Sequence, residues 1–140
     1  MTETELRRHF VARCTLRFRE VRMFVRNVGA IEVDGRVFRA GIKGQSDIYG
    51  FVMAGGRDSP FAIPFEVECK NVKTPETPHQ STWAQFCKTW GIPRLVVRSM
   101  RGETPDVTLD RWVRETDAFL IDISRRSRAA SILLPSTSDS

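Results

Sequence analysis

The chain lacks several features that would assign it to a common class of protein. It has only three cysteines, Cys14, Cys69 and Cys87, without a CxxC spacing or a histidine beside them, so neither a disulfide framework nor a zinc site is expected. No apolar run approaches the ~20 residues that a membrane-spanning helix needs, and residues 1–10 lack the apolar stretch of a signal peptide. We therefore expect a cytoplasmic protein without a membrane partner.

The length and composition fit a single domain with one hydrophobic core. The chain has 140 residues, of which 41% are apolar. We assign residues 1–132 to this domain and expect residues 133–140, which are rich in serine, to form a disordered tail. Histidine is scarce as well, and neither a cysteine nor a histidine has a positioned partner, so a hydrolase built on either residue type is a poor fit.

Positive charge is concentrated in the first third of the chain. Residues 1–43 hold ten Lys and Arg against five Asp and Glu, whereas residues 44–140 hold twelve of each. Of the 22 basic residues 18 are Arg, which can bind a phosphate through two parallel hydrogen bonds. The charge favours a polyanion as the partner, although a soluble basic protein without such a partner would have the same composition.

Local patterns predict alternating helices and strands. Thr2 and Glu5 form a capping box, Asp34-Gly35 favours a tight hairpin turn, and Gly91 ends a helix. The predicted elements are a helix ending near Cys14, a strand within Leu16–Val28, a hairpin over 30–39, strands Ile48–Val52 and Phe61–Cys69, a helix Pro78–Trp90, an internal strand Arg94–Arg98 and a helix Thr108–Arg128.

Two helices carry apolar residues at a helical spacing, and we expect both stripes to be buried. The last helix, capped by Thr108, should pack on the core or form a dimer surface. Pro64 lies inside a predicted strand, where a proline indicates an edge or a bulge, and we expect regular pairing to begin after it. The stripe residues are Trp83, Phe86, Cys87 and Trp90 in one helix and Trp112, Phe119, Leu120 and Ile123 in the other.

The segment Gly44–Lys70 carries the residues that indicate chemistry. In a strand, residues two apart share a face, so Glu66, Glu68 and Lys70 point to the same side. Asp47 precedes the neighbouring strand and can reach the same place. Buried carboxylates are costly unless they are paired or bind a cation. The pattern therefore favours a Mg²⁺ site at Asp47 and Glu68, with Lys70 beside the phosphate, although a solvated strand face with an incidental ion pair remains open.

The core motif of the PD-(D/E)XK nucleases is an Asp on one side of a hairpin followed by Glu-x-Lys on the other. The segments around it occur in a specific order: Arg26–Ala30, the glycine-rich 41–50, then 77–83 and Leu95–Ser99. In this order the chain closely resembles the VRR-NUC family of nucleases, and in particular its small stand-alone phage and bacterial members. The resemblance covers about 22–99, and it does not extend well to the last helix.

The resemblance implies a PD-(D/E)XK restriction-endonuclease-like α/β fold, with an αβββαβ core and a C-terminal helix added. It also implies a Mg²⁺- or Mn²⁺-dependent DNA endonuclease, similar to Holliday-junction resolvases and acting on branched DNA as a homodimer. A less selective nickase or flap nuclease, or a DNA-binding module without catalysis, is the alternative. The implied catalytic residues are Asp47, Glu68, Lys70 and Gln80, and the implied metal ligands are Asp47, Glu68 and the backbone carbonyl of Cys69.

Several assignments around this site have two interpretations. Glu5, or Glu3, is a possible extra metal ligand, although a role in capping the helix is favoured. Gln80 is either the family's motif glutamine or a surface residue, and Glu66 either binds metal or, as we favour, faces solvent. The residues expected to contact DNA are Arg22, Arg26, Asn27, Lys43, Gln45, Ser46, Lys73 and Arg98.

Overall fold

The computed structural model describes residues 1–26 and 29–133, with side chains described outside 29–31, 38–40 and 128–133. The predicted DNA contact Asn27 and the predicted tail from residue 134 onward lie outside the described residues. The elements are α1 Glu3–Arg17, β1 Val21–Val25, β2 Gly29–Val33, β3 Arg36–Ala40, β4 Ile48–Gly56, β5 Ser59–Lys70, α2 Pro78–Trp90, β6 Arg94–Arg98 and α3 Pro105–Leu133.

The fold is of the mixed α/β class, as predicted. The main sheet has four strands in the order β1-β4-β5-β6, in which β1, β4 and β5 are antiparallel and β6 is parallel to β5. The helix α2 provides the crossover that a parallel pair requires. Among the described strands β6 lies at an edge of this sheet, which corrects the expectation of an internal strand.

The predicted hairpin is confirmed, but it forms a sheet of its own. Strands β2 and β3 lie between β1 and β4 in the chain, and of the described strands they pair only with each other. Their turn places Asp34 at φ 52° and Gly35 at φ 74°, the two positive angles that a tight hairpin turn requires. The hairpin is therefore an insertion into the antiparallel meander β1-β4-β5.

Pairing between β4 and β5 runs through Pro64, contrary to the expectation that it starts after this residue. The Glu66 amide donates to Pro93 O at 2.9 Å, so it points toward β6. Residue 64 shares that direction because it lies two positions earlier. Since β6 begins opposite Glu66, none of the described strands lies beside residue 64 on that side. The amide proton that proline lacks is therefore not needed for a hydrogen bond there.

The helices α1 and α3 cover one face of the sheet, which we call the core face. The N-terminal helix continues to Arg17, one turn beyond the predicted end. The last helix packs on the core and begins earlier than expected, because Thr104 rather than Thr108 caps it and Thr108 is buried inside it. The core cluster contains Phe10, Cys14, Val21, Met23, Ile48, Val52, Phe65, Val67, Cys69, Val97, Leu109, Trp112, Val113, Leu120 and Ile123.

The opposite face, which we call the open face, is covered only in part, by α2. The predicted buried stripe of α2 is confirmed for Cys87 and in part for Trp83, and it is wrong for Phe86 and Trp90. Cys87 is 1% exposed, but Phe86 is 39% and Trp90 72% exposed, and Trp83 is only half-buried. A helical spacing of apolar residues identifies one face of a helix, but it does not reveal whether protein covers that face. No helix among the described residues is long and apolar enough to cross a membrane.

Candidate functional site

The strand β5 ends in the alternation that the sequence predicts. Val67 and Cys69 point into the core between sheet and helices, while Glu66, Glu68 and Lys70 point to the open face. All of them are buried, with Glu68 at 2% and Lys70 at 5% exposed. Two carboxylates and an ammonium are thus held out of water, which requires partners for each of them.

Asp47 lies directly beside this row, at the start of β4. The pairing of Ile48 with Val67 places residue 47 opposite Glu68 on the same face of the sheet. Its Oδ2 accepts a hydrogen bond from the Cys69 amide at 2.9 Å. The two carboxylates that the sequence suggests as metal ligands therefore lie together, at one end of neighbouring strands.

Gln80 connects the carboxylate and the lysine. Its Nε2 donates to Glu68 Oε1 at 2.9 Å, and its Oε1 accepts from Lys70 Nζ and from the Thr77 amide, the latter at 3.0 Å. The same residue completes the capping box of α2, because its own amide donates to Thr77 Oγ1. This geometry places Gln80 in the site rather than on the surface.

Glu68 has an incomplete set of partners. Its Oε2 is buried and has no hydrogen-bond partner among the described residues. Burial, followed by the charge of Asp47, raises the pKa of Glu68 to about 7. A carboxylate oxygen in this condition needs either a proton or a cation beside it.

The donor set fits a hard divalent cation. Mg²⁺ binds oxygen ligands and commonly takes one or two carboxylates, with waters and substrate phosphates completing the octahedron. Asp47 and Glu68 supply the two carboxylates. No group of three or more His, Cys, Asp or Glu side chains that could hold a metal is found among the described residues, so an all-protein cage is not present there.

Glu66 has a role that neither sequence interpretation anticipated. It is 6% exposed, so the favoured expectation that it faces solvent is wrong. Its two oxygens accept from Arg26 Nη1 at 2.6 Å and Nη2 at 3.0 Å. The Arg26 guanidinium also lies 4.7 Å from the centre of the Tyr49 ring and 6.0 Å from that of Trp83. This ion pair fastens β1 to β5 beneath α2.

Two arginines near the site were missed by sequence reasoning. Arg7 lies between Glu3, with which it forms an ion pair, and Asp47, whose Oδ1 is 3.4 Å from Arg7 Nη2. Arg94 is near enough to lower the pKa of Glu68 and pairs with Glu76 at 3.1 Å. Helix periodicity alone could not connect Arg7 to a strand forty residues later.

The glutamates of the first helix are used as caps or in an ion pair. Glu5 Oε2 accepts from the Thr2 amide at 2.6 Å, which is the capping box that was favoured over metal binding. Glu3 pairs with Arg7 Nη2, the same atom that lies 3.4 Å from Asp47 Oδ1. In this arrangement neither carboxylate joins the pair formed by Asp47 and Glu68.

The glycine-rich loop before Asp47 approaches protein rather than leaving space for a ligand. Gly44 has φ 91°, and a Cβ there would lie 2.3 Å from the backbone oxygen of His79. The loop therefore packs on the first turn of α2. This contact brings Asp47 and Gln80 to the same place.

The residues expected to contact DNA differ in how exposed they are to solvent. Lys43, Lys73 and Arg22 are exposed, and Gln45 and Arg98 are half-buried. Ser46 does not fit this role because it is fully buried, and Arg26 is engaged by Glu66. Gln45 Oε1 accepts from the Ile42 amide at 2.9 Å, and Arg98 Nη1 donates to Thr74 O at 3.4 Å.

The cysteines take no part in covalent chemistry in this structure. All three are free and buried, and burial raises the pKa of each thiol, that of Cys14 to about 12. Cys69 is a core residue, as expected from its side of the strand.

Comparison of the chain with protein-family models, curated proteins and solved structures finds no match in any of the three.

Proposed function

We propose that this protein is a metal-dependent endonuclease that hydrolyses phosphodiester bonds of DNA. The observation that supports the proposal best is the convergence of Asp47, Glu68, Lys70 and Gln80, with a buried Glu68 oxygen that lacks a partner among the described residues. The resemblance to the VRR-NUC family and its PD-(D/E)XK core gives the same four residues these roles. That family assignment remains a prediction.

Asp47, Glu68 and the backbone carbonyl of Cys69 are the groups that would hold Mg²⁺ or Mn²⁺. When bound, such an ion supplies positive charge that stabilises a phosphate under attack and makes water a better nucleophile. Asp47 is oriented by the hydrogen bond from the Cys69 amide, and Glu68 by the one from Gln80. Both carboxylates are thus fixed before substrate arrives, which removes part of the ordering cost.

Among the described residues, Lys70 Nζ has two hydrogen-bond acceptors, which leaves one N–H for substrate. An ammonium has three N–H donors, and Lys70 uses one on Gln80 Oε1 and one on Pro75 O, at 3.2 Å for the latter. The third can bind a phosphate oxygen or the attacking water. In our proposal Gln80 orients the ammonium, while the lysine stabilises negative charge on the phosphate or orients the attacking water through this hydrogen bond.

The substrate we propose is branched DNA. The sequence shows no recognisable recognition helix or zinc finger, which favours recognition of backbone and shape. Symmetric cutting of two strands of a junction requires two active sites, and hence a homodimer of this chain. A synthetic four-way junction and a linear duplex of matched sequence test this directly. We expect the junction to be cut in preference, and equal cutting of both would refute the junction claim.

The metal site itself is tested by removing one carboxylate charge at a time. Asp47→Asn and Glu68→Gln should each reduce cleavage by at least about 1,000-fold, because they remove a ligand that acts in the chemical step. DNA binding should stay intact or become tighter, because less negative charge faces the phosphates. The measurements are cleavage of a labelled junction in Mg²⁺ or Mn²⁺ and an electrophoretic binding assay in EDTA.

The matched control is Asp58→Asn, an exposed acid in the turn between β4 and β5. It removes the same charge from a place away from the site and should leave cleavage unchanged. Full cleavage by either site variant would show that the metal-ligand assignment is wrong.

A further inference from the structure

The open face carries an unbroken row of aromatic rings joined by one guanidinium, which we call the aromatic band. On the sheet, the Tyr49 ring lies 5.4 Å from Phe24 and 6.2 Å from Phe51, measured between ring centres. On α2, the Trp83 ring lies 4.9 Å from Phe86, and Phe86 lies 5.8 Å from Trp90. Arg26 lies between Tyr49 and Trp83 and connects the two halves.

Both ends of the band are open to solvent. Trp90 is 72% exposed at one end, and Phe24 and Phe51 are 44% and 40% exposed at the other. Large apolar side chains that are scattered singly over a surface need no explanation, but a contiguous patch of them indicates a binding site. Ring faces in such a patch are suited to a flat partner that can stack on them.

The charge around the band favours an anionic partner. The three elements that present it, β1, β4 and α2, contain no Asp or Glu in their sequences. They contribute exposed cations instead, Arg22 and Lys88. Glu66 is the acid beneath the band, and it is buried and neutralised by Arg26. A self-complementary contact between two copies of the band would bring Arg22 and Lys88 of both copies together, and β1, β4 and α2 supply no acid to pair them.

An open groove of about 410 Å³ continues the band beyond Phe51. Its lining combines the same two kinds of side chain, rings and arginines, together with a single acid, Glu20. A volume of this size lies within the range of small-ligand sites. The rings are those of Phe51 and Phe61, and the arginines are Arg19 and Arg22.

The band adjoins the candidate site through shared residues. Trp83 lies one turn after Gln80 on α2, and Arg26 binds Glu66, two residues before Glu68 on the same face of β5. A strand lying on the band would therefore pass beside Asp47, Glu68 and Lys70. The stacking surface and the proposed chemistry belong to one face of the molecule.

We propose that the aromatic band binds the unpaired bases of single-stranded DNA. Proteins that hold single strands combine cations that follow the phosphates with aromatic side chains on which bases stack, and the band offers both. The inference rests on the proposed nuclease function and deepens it: the band holds bases that are unpaired, or that become unpaired on binding, at the branch point of the DNA beside the site of cleavage.

The test uses the full chain carrying Glu68→Gln, in EDTA, so that binding is measured without cleavage. The probe is an oligothymidylate of about 20 nucleotides, compared with a duplex of the same length. We expect the oligothymidylate to bind more tightly and to quench tryptophan fluorescence. Trp90→Ala and Phe24→Ala, at opposite ends of the band, should each weaken this binding about 5- to 100-fold, as loss of one stacking ring does elsewhere.

The control is Leu16→Ala, which removes an 87% exposed apolar side chain from α1, outside the band. It should leave affinity unchanged. Unchanged affinity in both band variants, or tighter binding of the duplex, would refute the proposal. So would sedimentation showing a dimer that Trp90→Ala dissociates, because the band would then bind a second copy. Since no cleavage is measured, failure of the proposed enzyme and failure of the band give different results.

Discussion

The two faces of the four-stranded sheet use the same strands for opposite purposes. On the core face, Val67 and Cys69 of β5 are packed under α1 and α3 among other apolar side chains. On the open face, their neighbours Glu66, Glu68 and Lys70 are just as well buried but are charged, and each depends on a specific polar partner. Because successive side chains of a strand point to opposite faces, apolar and charged side chains alternate along β5.

The difference suggests that stability and function are divided between the faces. Apolar burial is non-directional and tolerates repacking, so the core face can hold the fold together without fixing any one atom. Hydrogen-bonded charges are directional and fix atoms relative to one another, but they contribute less net stability because burial costs them their hydration. We expect substitutions on the two faces to separate loss of stability from loss of activity.

The largest difference is expected between two tryptophans. Trp112 is 2% exposed, lies edge-on to Phe10 at 5.6 Å and donates from Nε1 to Arg98 O at 3.0 Å. Trp112→Ala should lower the free energy of unfolding by about 3–5 kcal/mol, because it leaves a cavity in the core. Trp90→Ala, on the open face, should lower it by less than about 0.5 kcal/mol. Urea unfolding measures both, and equal losses would contradict the division between the faces.

The buried ion pair should give the next largest effect. The side chains of Arg26 and Glu66 are 16% and 7% exposed. Arg26→Met leaves the Glu66 carboxylate buried without its partner and should cost about 2–4 kcal/mol of unfolding free energy. The double variant Arg26→Met, Glu66→Met should recover most of that loss, because no charge then remains buried. Denaturant titration of the two single variants and the double variant gives the coupling.

If Arg26→Met alone costs nothing, the ion pair does not hold the open face together. The double variant also separates structure from function. It should fold well but bind single-stranded DNA more weakly than the parent, since the cation in the middle of the aromatic band is gone.

The smallest effect is expected from an ion pair at the start of α3, and it depends on pH. Hydrogen bonds from Arg111 hold the pKa of Glu103 at about 2, below its usual value near 4.5. A carboxyl group whose pKa is lowered by folding stabilises the protein above its unfolded pKa and loses this contribution as pH falls through the folded one. Glu103→Gln should therefore lower Tm at pH 7, and the difference should shrink between pH 4.5 and pH 2. A difference in Tm that is constant with pH would contradict the ion pair.

What the sequence predicted well is local. The hairpin turn at Asp34-Gly35, the capping box at Thr2 and the alternation of β5 each depend on residues a few positions apart. The alternation also predicted that Glu68 and Lys70 would meet, and the neighbouring strand brought Asp47 to them.

What it did not predict depends on partners far away in the chain. Glu66 is bound by a residue 40 positions earlier, and Arg7 reaches Asp47 from the first helix, contacts that no local pattern contains. The exposed rings of α2 were misassigned because an apolar helix face has the same spacing whether protein or a ligand covers it. Glu66 and the exposed rings of α2 both lie on the open face, where the candidate site lies.

Gln80 both caps α2 and binds Lys70, so formation of the site depends on formation of this helix. One carboxamide oxygen receives both the Thr77 amide, which starts α2, and the ammonium of Lys70. Unwinding the first turn of that helix would therefore remove the hydrogen bond that orients Lys70, and re-forming the turn would restore that bond. Because Gln80 Oε1 takes part both in the start of the helix and in the orientation of Lys70, we expect the proposed enzyme to be inactive while this turn is unwound.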